Sequence, residues 1–149
     1  MLSIEFNKQS LNAFYKYLKD LEGDVADYVR AEIEDSILAI ETDAANDVPV
    51  DTGALKNSIQ STPIKATKDQ ITGGVEVGAN YSPYVEFGTG TKVKVPSELS
   101  AFASQYKGDG IKEVNLPARP FFYPAVYKQR QELPKNIERT LTTLMNKKQ

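Results

Sequence analysis

The sequence predicts an α+β fold, with N-terminal helices and a C-terminal helix packed on a small, mainly antiparallel sheet. Three observations carry this expectation. Apolar residues recur at helical spacing near both ends, and two short alternating runs flank a turn in the middle. At 149 residues, 40% hydrophobic and 26% charged, the chain is also long and apolar enough to bury a core. We read 1–149 as a single domain in four parts: a helical part over 1–47, a turn, sheet and Gly/aromatic loop over 48–90, a surface excursion over 91–117, and a C-terminal helix over 118–149.

Ile4 to Phe6 reads as a short strand. Ser10 stands at an N-cap position ahead of Leu11, Phe14, Tyr15, Leu18 and Leu21, and Gly23 ends that helix. Asp24 caps a second, longer helix with the stripe Val25, Val29, Ile33, Ile37, Ile40 and Ala44, which Pro49 stops. Asp51-Thr52-Gly53-Ala54-Leu55 is a turn leading into a helical piece that runs to about Ser58, with Asp51 or Thr52 as its cap.

Ile59 to Thr67 reads as a strand in which Pro63 removes a ladder donor and so favours an edge or a bulge. Lys68-Asp69-Gln70 makes the hairpin turn. Ile71 to Val77 returns with Ile71, Val75 and Val77 on one face and Thr72 and Glu76 on the other, while Gly73 and Gly74 weaken the run and mark a bulge. Gly78 to Gly90 is a Gly/Tyr/Phe loop with one helical turn at Tyr84 to Phe87. In the excursion, Lys92 to Val95 and Ile111 to Val114 form two arms around a short helix within Ser97 to Tyr106. The last helix runs from about Phe121 to Asn146 on the stripe Leu133, Ile137, Leu141 and Leu144; Pro124 suits its first turn, whereas Pro134 should kink or interrupt it.

Composition narrows the function. The chain has neither Cys nor His, which removes thiolate nucleophiles, Cys-ligated metals and the imidazole base of hydrolase triads. Gly88-Thr89-Gly90-Thr91-Lys92 lacks the order of a phosphate-binding loop and reads as a tight turn. Asp47, Asp51, Glu76 and Glu86 have no fixed separation, and a cap at Asp51 with solvated or hydrogen-bonded carboxylates elsewhere outweighs a magnesium-dependent or glycosidase pair. We therefore assign no catalytic residue, metal or cofactor and expect no enzyme. No segment has the length and apolarity of a membrane span or a secretory signal, so no membrane partner is expected.

Two surfaces remain. Lys92, Lys94, Lys107 and Lys112, set against Glu98, Asp109 and Glu113, form either a solvated face or a DNA-contacting one; with a formal net charge of -2, DNA is not the primary partner. Tyr81, Tyr84, Phe87, Phe121, Phe122 and Tyr123 concentrate aromatic area in two short segments that either close the core or face a neighbour.

Three segments in order, Val48-Pro49-Val50-Asp51-Thr52-Gly53-Ala54-Leu55-Lys56-Asn57-Ser58-Ile59, then Tyr81-Ser82-Pro83-Tyr84-Val85-Glu86-Phe87-Gly88-Thr89, then Ala118-Arg119-Pro120-Phe121-Phe122-Tyr123-Pro124-Ala125, complete the pattern. The set resembles the tail-completion (minor tail, head-tail joining) family of long-tailed bacteriophages, the minor tail protein Z-like group. The resemblance implies a non-enzymatic structural protein of the virion tail or neck, present in the host cytoplasm during assembly. It also implies a self-associating subunit, in a ring, that meets connector or head-closure proteins and tail-terminator or tail-tube proteins. Within the motifs, Asp51 or Thr52 is expected to cap the short helix, Gly53 to allow close packing, and Leu55 and Ser58 to complete the turn. Glu86, Phe87 and Gly88 are expected to shape the loop, and Pro120, Phe121 and Phe122 to set the start of the last helix against the sheet. Tyr81, Tyr84, Phe87, Phe122 and Tyr123 are the interface candidates. The excursion over 91–117 matches no motif of the family.

Overall fold

Helix α1, Asp24–Asp47, buries Val29, Ile33, Ile37, Ile40 and Ala44, the stripe expected of it, and ends two residues before Pro49. The computed structural model describes residues 2–5, 24–49, 53–67, 70–89, 95–107 and 116–147. The expected helix over Leu11 to Leu21 lies outside them, as do the turn residues Lys68 and Asp69 and both arms of the excursion except Val95.

Among the described residues the sheet has three strands: β1, Leu2–Glu5; β2, Ile59–Thr67; and β3, Gln70–Val77. All pairs are antiparallel and β3 is central, in the order β1-β3-β2. The face of β3 that meets α1 buries Ile71, Val75 and Val77, while Glu76 on the alternate side is exposed. Pro63 sits where both expectations for it hold: β2 is an edge strand, and its register on β3 shifts between Thr62 and Lys65, so Pro63 and Ile64 together face Gly73. The free edge of β2 is also blunted by α1, whose Glu41 carboxylate accepts the Ser61 N–H at 3.1 Å.

Gly73 has a packing reason to be glycine. A Cβ there would lie 2.7 Å from Ile37 Cδ1 and 2.9 Å from Ile64 Cγ1, so the missing side chain lets α1 settle onto the bulge.

The short helix α2, Ala54–Asn57, precedes β2, and α3, Ser82–Phe87, follows β3. A 3₁₀ turn, Ser97–Leu99, runs into α4, Ser100–Lys107, and α5 spans Tyr123–Lys147. The helix expected within Ser97 to Tyr106 is therefore present. Of the two outcomes expected at Pro134, interruption does not occur: α5 runs through it. Pro134 and Arg130, the residue whose carbonyl loses its donor, are both exposed, on the side of the helix where solvent can meet the missing bond.

α1 packs on β2 and β3, and α5 packs along α1. Thr140 donates to Glu32 at 2.6 Å, Ser36 donates to Gln129 at 3.2 Å within the core, and Lys128 meets Asp43 at 2.8 Å, an order that makes the helices antiparallel. Leu133, Ile137 and Leu141 of α5 are buried as expected, and they join α1, β3, Leu55, Ile59 and Phe121 in one apolar cluster.

Candidate assembly site

The first motif closes on itself. Gly53, at φ 73°, occupies the N-cap of α2, a left-handed conformation that favours glycine. The cap position thus falls to Gly53 rather than to Asp51 or Thr52, which lie outside the described residues. Leu55 is buried, and Ser58 donates its hydroxyl to the Leu55 carbonyl at 2.8 Å. The Ser58 carbonyl accepts the Gly78 N–H at 2.9 Å, which ties this turn to the start of the aromatic loop.

The second and third motifs form one unit around Glu86. This carboxylate is 2% exposed. Its Oε2 accepts the N–H groups of Phe121 at 2.9 Å and Phe122 at 3.0 Å, and its Oε1 accepts that of Tyr123 at 3.0 Å. These are the backbone donors at the entry of α5, where no preceding helical turn can accept them. Pro124 has no N–H to satisfy, and the Val126 N–H begins the helical ladder on Phe122 at 3.1 Å. A negative charge at a helix N-terminus, held by three charge-assisted bonds, explains how a carboxylate is accommodated in the core. Phe121, fully buried beside it, pins the same turn into the apolar cluster.

Gly88 and Thr89 extend the contact. Gly88 has φ 67°, and a Cβ on it would lie 2.6 Å from the Leu116 carbonyl oxygen and 2.7 Å from the Ala118 nitrogen. Only glycine lets the 116–118 backbone pass this close. Thr89 donates its N–H to the Leu116 carbonyl at 3.0 Å, and its Oγ1 accepts the Leu116 N–H at 2.9 Å. Arg119 donates its N–H to the Val85 carbonyl at 2.8 Å. The glycine expected to allow a tight loop thus also makes room for the chain entering α5.

The aromatic residues divide by environment. Phe87, Phe121 and Phe122 are buried within the subunit, so Phe87 and Phe122, taken from sequence as interface candidates, are core residues by packing. Tyr81 and Tyr84 are 46% and 40% exposed. Tyr123 is half-buried, stacks at a tilt on Tyr127 with centroids 6.0 Å apart, and donates its hydroxyl to Glu98. Burial first, then the hydrogen bond and charge of Glu98, push the Tyr123 phenol up to about 12, against a lowering by Arg130.

The excursion is not only a surface feature. Tyr106 of α4 lies edge-on to Tyr84 at 5.8 Å, Phe102 lies edge-on to Phe87 at 6.0 Å, and Ala103 is buried between them in sequence. Sequence reasoning did not join α4 to the aromatic loop, nor Glu86 to the third motif, because neither pairing has a sequence spacing that signals it. Of the basic set, Lys92, Lys94 and Lys112 lie outside the described residues, and Lys107 ends α4.

Among the described residues, no group of His, Cys, Asp or Glu has a metal-holding arrangement, and no helix is long and apolar enough to cross a membrane. What this arrangement offers is a rigid aromatic surface. No curated protein and no solved structure matches the chain. A family model described as "Bacteriophage HK97-gp10, putative tail-component" matches residues 12–88, just over half of the chain, including the first motif and the second as far as Gly88. That span ends at Gly88, whose missing side chain admits the third motif, and the chain belongs to the HK97-gp10-like family of bacteriophage tail components.

Proposed function

We propose that this tail component completes or joins the tail at the neck, acting as a structural subunit that docks through the exposed Tyr81, the N-cap of α3, and Tyr84 within it. The observation that supports this reading is that two exposed tyrosines stand on a short helix and its cap, held in place by Glu86 within the helix and by Gly88 and Thr89 just after it. Large side chains on an already ordered segment contribute contact area with little further loss of conformational freedom on binding. Neighbours of the right kind are other ring-forming components of the same junction: connector or head-closure proteins on one side and tail-terminator or tail-tube proteins on the other. Self-association into a closed ring follows from the rotational symmetry of such layers. In this reading the chain does no chemistry and is carried in the virion.

The test is complementation of particles that lack this subunit, with Tyr81→Ala and Tyr84→Ala. Both variants should keep the wild-type circular dichroism and a cooperative unfolding transition, because neither ring is buried in the core, while the yield of joined particles falls. Full particle yield from both folded variants would refute the docking role. Native mass measurement of the subunit alone and with the neighbouring tail proteins then reads the ring directly.

A further inference from the structure

The 3₁₀ turn and α4 are fastened differently from everything around them. The start of α5 is held by buried bonds to Glu86 and by fully buried Phe121. Among the described side chains of α4, Ala103 alone is buried. Phe102 is 37% exposed, Tyr106 is half-buried, and Leu99 just before the helix is only partly buried against the core. The polar ties are also at the surface: Glu98 accepts the Tyr123 hydroxyl and meets Arg130 at 3.4 Å, with the two side chains of that ion pair 47% and 69% exposed. α4 packs chiefly on α3, over Tyr84 and Phe87. Segments with few buried apolar contacts and solvent-screened ties open at lower free energy than the fold as a whole.

We propose that the 3₁₀ turn and α4 form a cover over the aromatic side of α3, latched to α5 by Glu98, and that this cover opens as a unit while the Glu86-held body stays folded. Opening removes Tyr106 from Tyr84 and Phe102 from Phe87, which enlarges the aromatic face of α3. Closure therefore hides apolar area on the subunit until the cover is displaced. The relevance of the cover to docking rests on the function proposed above, but its opening is measured on the isolated subunit, so the two ideas fail separately.

Hydrogen exchange read by mass spectrometry tests it. In the wild type the amides of α4 should exchange about tenfold or more faster than those of α5 around Val126, as local opening requires. Glu98→Ala should speed exchange of α4 by about two- to fivefold, the weight of screened surface ties, and leave Val126 and its neighbours unchanged. Phe102→Ala, which removes the ring contact to Phe87, should speed α4 by about tenfold and raise the binding of an apolar fluorescent dye without loss of helical circular dichroism. Equal protection of α4 and the start of α5 in the wild type would overturn the proposal. So would variants in which both segments loosen together, because α4 would then be part of one cooperative unit. An unchanged α4 in Glu98→Ala would remove the latch.

Discussion

The Glu86 carboxylate accepts the backbone N–H of Phe121 at 2.9 Å across 35 residues of chain. With the bonds to Phe122 and Tyr123, this one buried side chain closes the N-terminus of a 25-residue helix that belongs to a different motif. The loop and the helix start are therefore one structural unit, and substitutions at either side should be felt at both.

Glu86→Ala leaves three buried N–H groups without acceptors. The loss combines a helix cap with buried, charge-assisted bonds, for an expected destabilisation of about 2–4 kcal/mol. Glu86→Gln keeps an acceptor but places an amide donor beside donors, so it should fall between the wild type and Ala. Urea denaturation of the three proteins reads the order, and an Ala variant within about 0.5 kcal/mol of wild type would contradict the capping role.

Gly88 and Gly53 both have positive φ, but they differ in surroundings. Among the described residues, a Cβ at Gly53 would meet only Asn57 Nδ2, at 4.0 Å, so Gly53→Ala bears chiefly conformational strain, about 1 kcal/mol. At Gly88 the obstacles are backbone atoms of Leu116 and Ala118 that cannot swing away. Gly88→Ala should cost more than about 2 kcal/mol and lower the thermal midpoint well below that of Gly53→Ala. Equal midpoints would show that the 116–118 segment yields easily.

Gly73→Ala presses on side-chain atoms, the terminal Cδ1 of Ile37 and the inner Cγ1 of Ile64, with the nearest backbone atom at 3.7 Å. The expected cost is about 1–3 kcal/mol from overpacking. Ile37→Val removes the nearer atom, so the double variant should be more stable than the sum of the two single changes predicts. Simple additivity in a double-mutant cycle would mean that the strain is relieved elsewhere.

The Tyr123 phenol, pushed up to about 12, makes a pH prediction. Its folded-state value lies above the ordinary one of 10.0. The stability it contributes is therefore fully present below about pH 10 and is lost as the pH rises toward 12. The phenolate absorbance of wild type minus Tyr123→Phe should titrate near 12, and in a Glu98→Gln background the midpoint should move down. A midpoint unaffected by Glu98→Gln would assign the shift to burial alone.

Much of the fold was legible because it is periodic or stereochemical. The 3.6-residue recurrence from Val29 to Ala44 could satisfy only a helix, and the alternation in Ile71 to Val77 only a strand with one buried face. Pro63 announced an edge and a bulge because it lacks a donor. Pro134 does not end its helix, because the same missing donor costs less on the solvent side. The expectation that Asp51 or Thr52 is the cap followed side-chain chemistry, whereas Gly53 occupies the position because the backbone there turns left-handed.

The sequence by itself determined which segments are helix, strand or turn, and it placed three motifs in order, because local sterics and apolar spacing act within a few residues. The tertiary structure alone decided that the second and third motifs meet at Glu86, that Phe87 and Phe122 are core, and that Tyr81 and Tyr84 face outward. The physical reason is that a helix N-terminus must find its acceptors outside its own ladder. Spatial approach, which no sequence spacing encodes, selects the carboxylate that supplies them.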